Sequence, residues 1–255
     1  MRERLLKEHS SEPTSTSPFP HTQPDLLSKF IQAKTDHPNF MTDSLVTTMA
    51  VSMAFAGSET TAISLSSVFY YLLKHPACMQ ELLAELDLKA RKGHFKDNRY
   101  GVVTYAESQG LPYLDACVKE AFRLHPAPGL PLERIVPLQG VEIAGAFVKG
   151  GTIVGCSAWV IHRRKEIFGE DVEVFRPERW LVGQGSTVVD DQEREREEKR
   201  IKEMGSVMLH FGMGSRTCIG KNISLLEIYK LVPTFLRRFE VCLLLLPQLE
   251  VLIRK

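Results

Sequence analysis

A glycine-rich segment that ends in a cysteine constrains this sequence more than any other feature: residues 211–220 read FGMGSRTCIG. Its first glycines could indicate a dinucleotide-binding loop, but Thr217 stands where that loop needs a third glycine, and no strand–helix–strand pattern surrounds it. The pattern instead favours Cys218 at a helix N-terminus, where free N–H groups and the helix dipole stabilise a thiolate that can ligate a metal. A buried, inert cysteine is the competing structural interpretation.

Small and charged residues around this cysteine favour a flat ligand that carries a carboxylate. Gly212, Gly214 and Gly220 have no side chain, so the backbone can approach such a ligand closely. Arg216 adds a permanent cation near Cys218, where a carboxylate of the ligand could lie. The segment therefore predicts a metal-containing cofactor rather than a bare metal ion.

The whole segment resembles the haem-binding signature F-G-x-G-x-R-x-C-x-G of the cytochrome P-450 superfamily, the haem-thiolate monooxygenases, and every defining position matches. The resemblance implies haem b (iron protoporphyrin IX) as the cofactor, with Cys218 as the ligand of its iron and Arg216 beside a propionate. It also assigns three residues of the loop to haem binding, namely Phe211, Gly212 and Gly220. Arg134 matches a position where the family often has a second propionate arginine.

Two further segments resemble the family: EAFR over residues 120–123 resembles its E-x-x-R, and FRPERW over residues 175–180 resembles its F-x-P-E-R-[FW]. Alone, Glu120 and Arg123 would be an ordinary ion pair on one helix face. The resemblance implies instead a buried triad of Glu120, Arg123 and Arg179. Loss of one partner of such a triad leaves buried charge uncompensated.

A polar segment, AGSETT over residues 56–61, lies in the middle of a long apolar helix pattern. A glycine there costs about 1 kcal/mol relative to alanine, and a polar stripe that faces another helix is the structural alternative. The segment resembles the family's A-G-x-[DE]-T-T, which crosses the distal face of the haem. The resemblance implies that Gly57 widens a groove for dioxygen, that Glu59 relays protons from solvent, and that Thr60 hydrogen-bonds dioxygen or a water.

Hydrophobic periodicity predicts a mainly α-helical chain with small β-sheets. The predicted helices cover residues 25–33, 41–75, 76–93, 113–125 and 219–239. The last helix contains Pro233 and is expected to bend there. Turn glycines between short β-prone runs predict a hairpin over residues 141–155, with its turn near residues 149–151, followed by irregular structure up to residue 180. Residues 190–203 are almost all charged, which favours a solvated helix or a surface insert.

The resemblance divides the chain into three parts. Residues 1–24 contain a Ser/Thr/Pro-rich stretch and predict a loop or a disordered tail. Residues 25–241 resemble the C-terminal part of the P-450 fold, from the long distal helix to the cysteine-ligand loop, and residues 242–255 form an atypical end. Within the middle part, His162 also matches a family segment, and we favour a structural role for it. Because family members are much longer, we expect a fragment or a truncated gene.

Composition excludes other classes of protein. Lys and Arg number 32 against 31 Asp and Glu, a balance that argues against nucleic-acid binding. The five cysteines are scattered and odd in number, which argues against a disulfide framework or a zinc module. The N-terminus lacks the apolar core of a signal peptide, and no stretch is long and apolar enough to span a membrane. We therefore expect a cytosolic chain, whereas full-length relatives would lie on the cytosolic face of the endoplasmic reticulum.

Together these features predict a haem-dependent monooxygenase that inserts one oxygen atom from O2 into a small apolar organic substrate, by C–H hydroxylation or O-demethylation. The resemblance implies electrons from NADPH, delivered by NADPH–cytochrome P-450 reductase. The strings GLPLERIVP and AISLSSVFYYLLKHPACM are most similar to fungal pisatin-demethylase-like members, which favours a role in fungal secondary metabolism. Two alternatives stay open: a truncated remnant without catalysis, and a haem-binding module without turnover.

Overall fold

The computed structural model describes residues 25–96, 101–183, 190–245 and 249–254. The predicted N-terminal tail, residues 1–24, lies outside the described residues. Contacts between Cα atoms group the chain into two compact units, residues 1–56 and 57–255. All the side chains of the candidate site belong to the second unit.

Helices dominate the described part of the chain. The α-helices are α1 (Leu26–Asp36), α2 (Asp43–Lys74), α3 (Pro76–Arg91), α4 (Tyr105–Ser108), α5 (Pro112–Leu124), α6 (Ala158–Ile161), α7 (Lys165–Phe168), α8 (Asp191–Ser206) and α9 (Lys221–Arg238). The five helices predicted from the sequence, the first of them expected to be short, are confirmed as α1, α2, α3, α5 and α9. Within the described ranges, no helix is long and apolar enough to cross a membrane.

Helix α5 begins where its own sequence and a neighbouring helix both favour a start. Pro112 occupies its first turn, where a proline N–H is not needed. The Glu85 carboxylate of α3 accepts hydrogen bonds from the backbone N–H groups of Tyr113 at 2.9 Å and Leu114 at 3.1 Å. Burial raises the pKa of Glu85, while these two hydrogen bonds lower it. This cap fixes the start of the helix that carries Glu120.

Short antiparallel pairs make up the β-structure. The strands are β1 (Leu132–Ile135), β2 (Val141–Ile143), β3 (Ala146–Val148), β4 (Ile153–Cys156), β5 (Glu240–Leu245) and β6 (Leu249–Arg254). Strand β1 pairs with β4, β2 with β3, and β5 with β6. The fold is therefore mainly α with small sheets, as predicted.

The predicted position of the hairpin turn is wrong. Strands β2 and β3 join through Ala144 and Gly145, whose φ angles are 51° and 79°. Residues 149–151 lead instead into β4, which pairs with β1. A two-residue connection with positive φ suits the right-handed twist of the strands. Because alanine rarely adopts this conformation, the turn carries little signal in the sequence.

The segment between β4 and α8 is more regular than predicted. It contains α6, α7 and a 3₁₀ turn over Pro177–Trp180. Helices this short depend on tertiary contacts, so periodicity does not indicate them. Helix α8 is the charged segment, but it is not solvated on all sides. Met204 is fully buried, and the Arg200 guanidinium donates to the Arg179 carbonyl at 3.0 Å.

The main core lies where α2, α3, α5 and α9 meet. Its fully buried side chains include Val68, Leu72, Leu82, Leu111, Leu114, Val118, Ile228 and Val232. Burial of each leucine or valine contributes about 1.5–3 kcal/mol. A second cluster contains Ala116, Phe168, Val172, Trp180 and Met204. It joins α5 to the segment after β4, and so surrounds the buried charges described below.

Candidate functional site

The loop between α8 and α9, residues 207–220, carries the predicted cysteine ligand and is called the cysteine loop below. Cys218 is exposed, and its backbone N–H donates to the Phe211 carbonyl at 2.8 Å, which closes the loop. Gly212 and Gly214 have φ angles of 69° and 67°, a region that favours glycine. A Cβ at Gly212 would lie 3.2 Å from the Arg216 carbonyl oxygen. The glycines therefore permit a tight turn that presents the thiol to solvent.

An exposed apolar residue and a glycine follow this cysteine in the chain. Ile219 is 92% exposed, and a Cβ at Gly220 would lie 3.8 Å from the Cys218 Sγ, so glycine keeps that side of the sulfur clear. Phe211 packs edge-on against Phe122 of α5, with ring centroids 5.8 Å apart. A soft sulfur donor, an open apolar surface and an exposed arginine on the same loop fit a thiolate-bound haem.

The Glu120 carboxylate lies on α5 and is 0% exposed. Its Oε1 accepts from Arg123 Nη2 at 2.8 Å, from Arg179 Nε at 3.1 Å and from the Arg176 backbone N–H at 3.1 Å. Its Oε2 accepts from Arg123 Nε at 2.9 Å and from the Trp180 indole N–H at 2.9 Å. Both oxygens thus have charged donors, which offset the cost of burying the carboxylate.

The two guanidiniums are also buried, and their other N–H groups hold the chain after β4. Arg123 donates to the carbonyls of His162 at 3.0 Å, Val172 at 2.7 Å and Val174 at 3.2 Å. Arg179 donates to the Asp171 carboxylate at 3.0 Å and to the carbonyls of Phe168 and Asp171. The structure therefore brings the predicted triad together as one buried network.

Two members of this network were not predicted. Trp180 lies in the FRPERW motif, but its bond to Glu120 spans 60 positions of sequence. Asp171 pairs with Arg179 from outside any motif. Burial by itself raises the pKa of the Asp171 carboxyl, but the hydrogen bond and charge of Arg179 bring it below its usual value. No local pattern marks Asp171, so only the fold reveals it.

His162 is fully buried and connects the triad to the cysteine loop. Its Nδ1 lies 3.2 Å from the Arg123 carbonyl oxygen, and its Nε2 accepts from the Leu209 backbone N–H at 2.8 Å. Burial lowers the pKa of His162 to about 4, and the nearby Arg123 and Arg163 charges act in the same direction. The histidine is therefore neutral at physiological pH.

The predicted proton-relay residues lie on α2. Glu59 and Thr60 are both exposed, and within the described part of the chain a Cβ at Gly57 would meet no atom within 4 Å beyond its chain neighbours and the adjacent α2 backbone. Glu59 lines an open cleft of about 750 Å³. The other lining residues are Ala62, Ile63, Ser66, Ser67, Tyr70, Tyr71 and His125. Solvent therefore reaches Glu59, as a proton relay requires.

A bond that the sequence did not indicate joins α2 to the helix after the cysteine. Thr61 is buried, with 8% of its surface exposed. Its hydroxyl donates to the Ser224 hydroxyl at 3.2 Å. Ser224 lies in the first turn of α9, where its backbone N–H donates to the Gly220 carbonyl at 3.0 Å. This contact fixes the polar segment of α2 relative to the cysteine loop.

Arg134 lies on β1, where it is exposed and its guanidinium donates to the Glu133 carbonyl at 2.6 Å. Arg216 is exposed on the cysteine loop itself. The structure thus brings the Glu120–Arg123–Arg179 triad together in one network and places the predicted residues of segment 211–220 on one loop. It places Arg134 and the Glu59–Thr60 pair on two other elements.

Comparison with known proteins identifies the family. The sequence model of the family described as Cytochrome P450 matches residues 1–248. The chain is 45% identical over 217 residues to Cytochrome P450 monooxygenase cicH of Emericella nidulans, covering 85% of this chain and 40% of that protein. It is 42% identical over 186 residues to Pisatin demethylase of Fusarium vanettenii, covering 73% of this chain and 32% of that protein. The chain thus spans two fifths or less of the length of these two relatives.

Proposed function

The chain belongs to the cytochrome P450 family, and from that membership we propose that it acts in a haem-dependent monooxygenase that inserts one oxygen atom from O2 into an apolar organic substrate. The observation that carries the proposal is the exposed Cys218, held on a glycine turn next to the exposed Ile219. Bound haem supplies the activation of dioxygen in this chemistry, and the protein binds, orients and delivers protons.

The residues that would hold the haem lie mainly on the loop before α9. Cys218 is the proposed thiolate ligand. Gly212 and Gly220 place no side chain against the loop backbone and the Cys218 sulfur, respectively. The Phe211 ring packs against Phe122 of α5 and so attaches the loop to that helix. Arg216 neutralises one propionate, and Arg134 is the proposed partner of the second.

Protons reach the site along α2. Glu59 faces the open cleft and takes protons from solvent. Thr60, the next residue, would hydrogen-bond dioxygen or a water and would pass the proton on. The bond between Thr61 and Ser224 keeps this part of α2 in a fixed position relative to the cysteine loop.

Electrons come from NADPH through NADPH–cytochrome P-450 reductase, and the substrate is a small apolar molecule. The named relatives come from fungi, and one of them is a demethylase. We therefore favour C–H hydroxylation or O-demethylation in fungal secondary metabolism.

One observation favours a second candidate, a haem-binding protein without turnover. Gly57, Glu59 and Thr60 are exposed, and among the described residues no atom outside the glycine's chain neighbours and the adjacent α2 backbone lies within 4 Å of a Cβ placed on Gly57. Coupled oxygen chemistry needs water to be excluded from the site. An α2 surface this open to water would let the chain hold haem without supporting coupled monooxygenation.

The proposal is tested by measuring whether a thiolate ligates the haem iron. The chain is supplied with haem, reduced under carbon monoxide, and its absorption spectrum is recorded. We expect the red-shifted Soret band of a thiolate ligand in the parent and in Cys156→Ala, a control at another exposed cysteine. Cys218→Ala should lose the band.

Either of two results contradicts the assignment: no such band in the parent, or the band retained in Cys218→Ala. Product per NADPH in the presence of the reductase then separates the two candidates. A monooxygenase forms product, whereas a haem-binding protein without turnover forms none.

A further inference from the structure

His162 connects three segments that are distant in the sequence. Its carbonyl accepts from the Arg123 guanidinium at 3.0 Å, and its ring contacts the Arg123 carbonyl through Nδ1 at 3.2 Å. On the other side, its Nε2 receives the Leu209 backbone N–H at 2.8 Å. The ring lies between the end of α5 and the start of the cysteine loop.

These contacts allow a single tautomer. Leu209 can only donate through its backbone N–H, so Nε2 must carry a lone pair. Nδ1 then carries the proton and donates it to the Arg123 carbonyl. That carbonyl lies in the last turn of α5, where the helix itself offers no partner. Each ring nitrogen thus satisfies one buried backbone group.

From Leu209 a short series of backbone bonds leads to Cys218. The Leu209 carbonyl accepts from the Gly212 N–H at 2.8 Å. The Phe211 carbonyl accepts from the Cys218 N–H at 2.8 Å. A shift of Leu209 would therefore displace the turn that presents the thiol.

We propose that His162, as the neutral tautomer protonated at Nδ1, is a positioning residue that holds the start of the cysteine loop against the end of α5. This inference concerns the loop that carries Cys218, the ligand in the proposed function. Protonation of Nε2 would remove the acceptor for Leu209 and release the loop.

The charged and titratable groups around the ring favour the neutral form. Arg123 of α5 and Arg163, which follows in sequence, are both cations that act on the His162 charge. His210 of the loop lies with its ring centroid 6.4 Å away and is half-buried. The pKa of His162 is lowered to about 4, chiefly by burial. The acceptor at Nε2 is therefore present throughout the physiological pH range.

Two substitutions separate the two ring contacts. His162→Gln places a carbonyl oxygen near the position of Nε2 and can still accept from Leu209. His162→Asn is shorter, places its amide near Nδ1 and keeps only the contact with the Arg123 carbonyl. Amide hydrogen exchange of the whole chain, prepared without added haem, is measured over residues 209–218 by mass spectrometry.

We expect similar protection in the parent and in His162→Gln, and exchange about tenfold faster in His162→Asn, as for the loss of one net hydrogen bond. The amides of Lys96 and Thr104, which donate to Glu107, serve as the internal control and should not change. Equal loop protection in His162→Asn and His162→Gln overturns the proposal.

Faster exchange at the control amides would reveal that His162→Asn does not fold. In that case a direct measurement on the parent tests the proposal. Long-range proton–nitrogen NMR of the parent identifies the protonated ring nitrogen. Protonation at Nδ1 supports the proposal, and protonation at Nε2 overturns it. None of these readouts uses haem, so a parent without the thiolate spectrum would contradict the proposed function and leave the His162 result unaffected.

Discussion

Replacing Glu120 by glutamine is the sharpest test of the buried triad. The substitution keeps the shape of the side chain but removes its charge and turns one acceptor oxygen into an NH2 donor. In the structure, Oε1 receives three donors and Oε2 receives two. The amide NH2 therefore takes the Oε2 side, where it faces Arg123 Nε and the Trp180 indole N–H.

The cost follows from these two orphaned donors and from the unbalanced guanidiniums. Each buried donor left without a partner costs about 1–3 kcal/mol. Removal of one partner from a buried ion network costs about 3–5 kcal/mol in measured cases. We expect a loss of about 4 kcal/mol, a large part of the ~5–15 kcal/mol by which domains of this kind are stable.

Urea unfolding followed by circular dichroism measures this loss. With a slope of about 3 kcal/mol per M, the unfolding midpoint should fall by more than about 1 M. The matched control is Glu81→Gln on the exposed side of α3, which should change the free energy of unfolding by less than about 0.5 kcal/mol. A Glu120→Gln variant within about 1 kcal/mol of the parent would refute the argument that the carboxylate balances both guanidiniums.

Three other perturbations test separate parts of the molecule. Thr60→Ala should leave folding and carbon-monoxide binding intact and lower the product formed per NADPH with more peroxide; an unchanged ratio would show that the hydroxyl has no part in proton delivery. The depressed pKa values of His162 and His210, about 4 and about 3, mean that the unfolded chain takes up protons first as the pH falls below about 6.5. The free energy of unfolding is therefore highest above that pH and decreases towards pH 4, by about 2 kcal/mol for each histidine at pH 5. Urea titrations at several pH values should show a shallower decrease for His162→Gln than for the parent. Equal decreases in the two proteins would contradict this reasoning. Ala144→Asn should raise the free energy of unfolding by about 0.5–1 kcal/mol because asparagine tolerates positive φ, whereas Ala144→Val should lower it; the opposite order would show that the turn at Ala144 is not strained.

Local strings of sequence predicted most of the fold and the identity of the family. The matches at FGMGSRTCIG, EAFR and FRPERW agree with the family comparison and with the fungal relatives. The long helices also agree, because their apolar spacing and their flanking prolines and glycines are local signals. The roles of Glu59, Thr60, Arg134 and Arg216 remain predictions.

Contacts between distant residues explain what the sequence did not predict. The pairing of β4 with β1 instead of β3 depends on a turn at Ala144, which has no glycine or asparagine at its first position. The contacts of His162 span 39 and 47 positions. A single histidine in a sequence carries no sign of such partners, so its place between α5 and the cysteine loop could be found only from the fold.

The acceptors that hold Arg123 and Arg179 have a consequence for how this region can change over evolution. Apart from Glu120 and Asp171, these acceptors are main-chain carbonyls, those of residues 162, 168, 171, 172 and 174. A main-chain carbonyl is present whatever the side chain, so these bonds constrain the path and the length of the segment more than its composition. Among related proteins, substitutions between residues 163 and 174 should be common at exposed side chains other than Asp171, while insertions and deletions there should be rare. By the same reasoning, deletion of a single residue at this place should disturb both guanidiniums at once, whereas most exchanges of one exposed side chain should pass unnoticed.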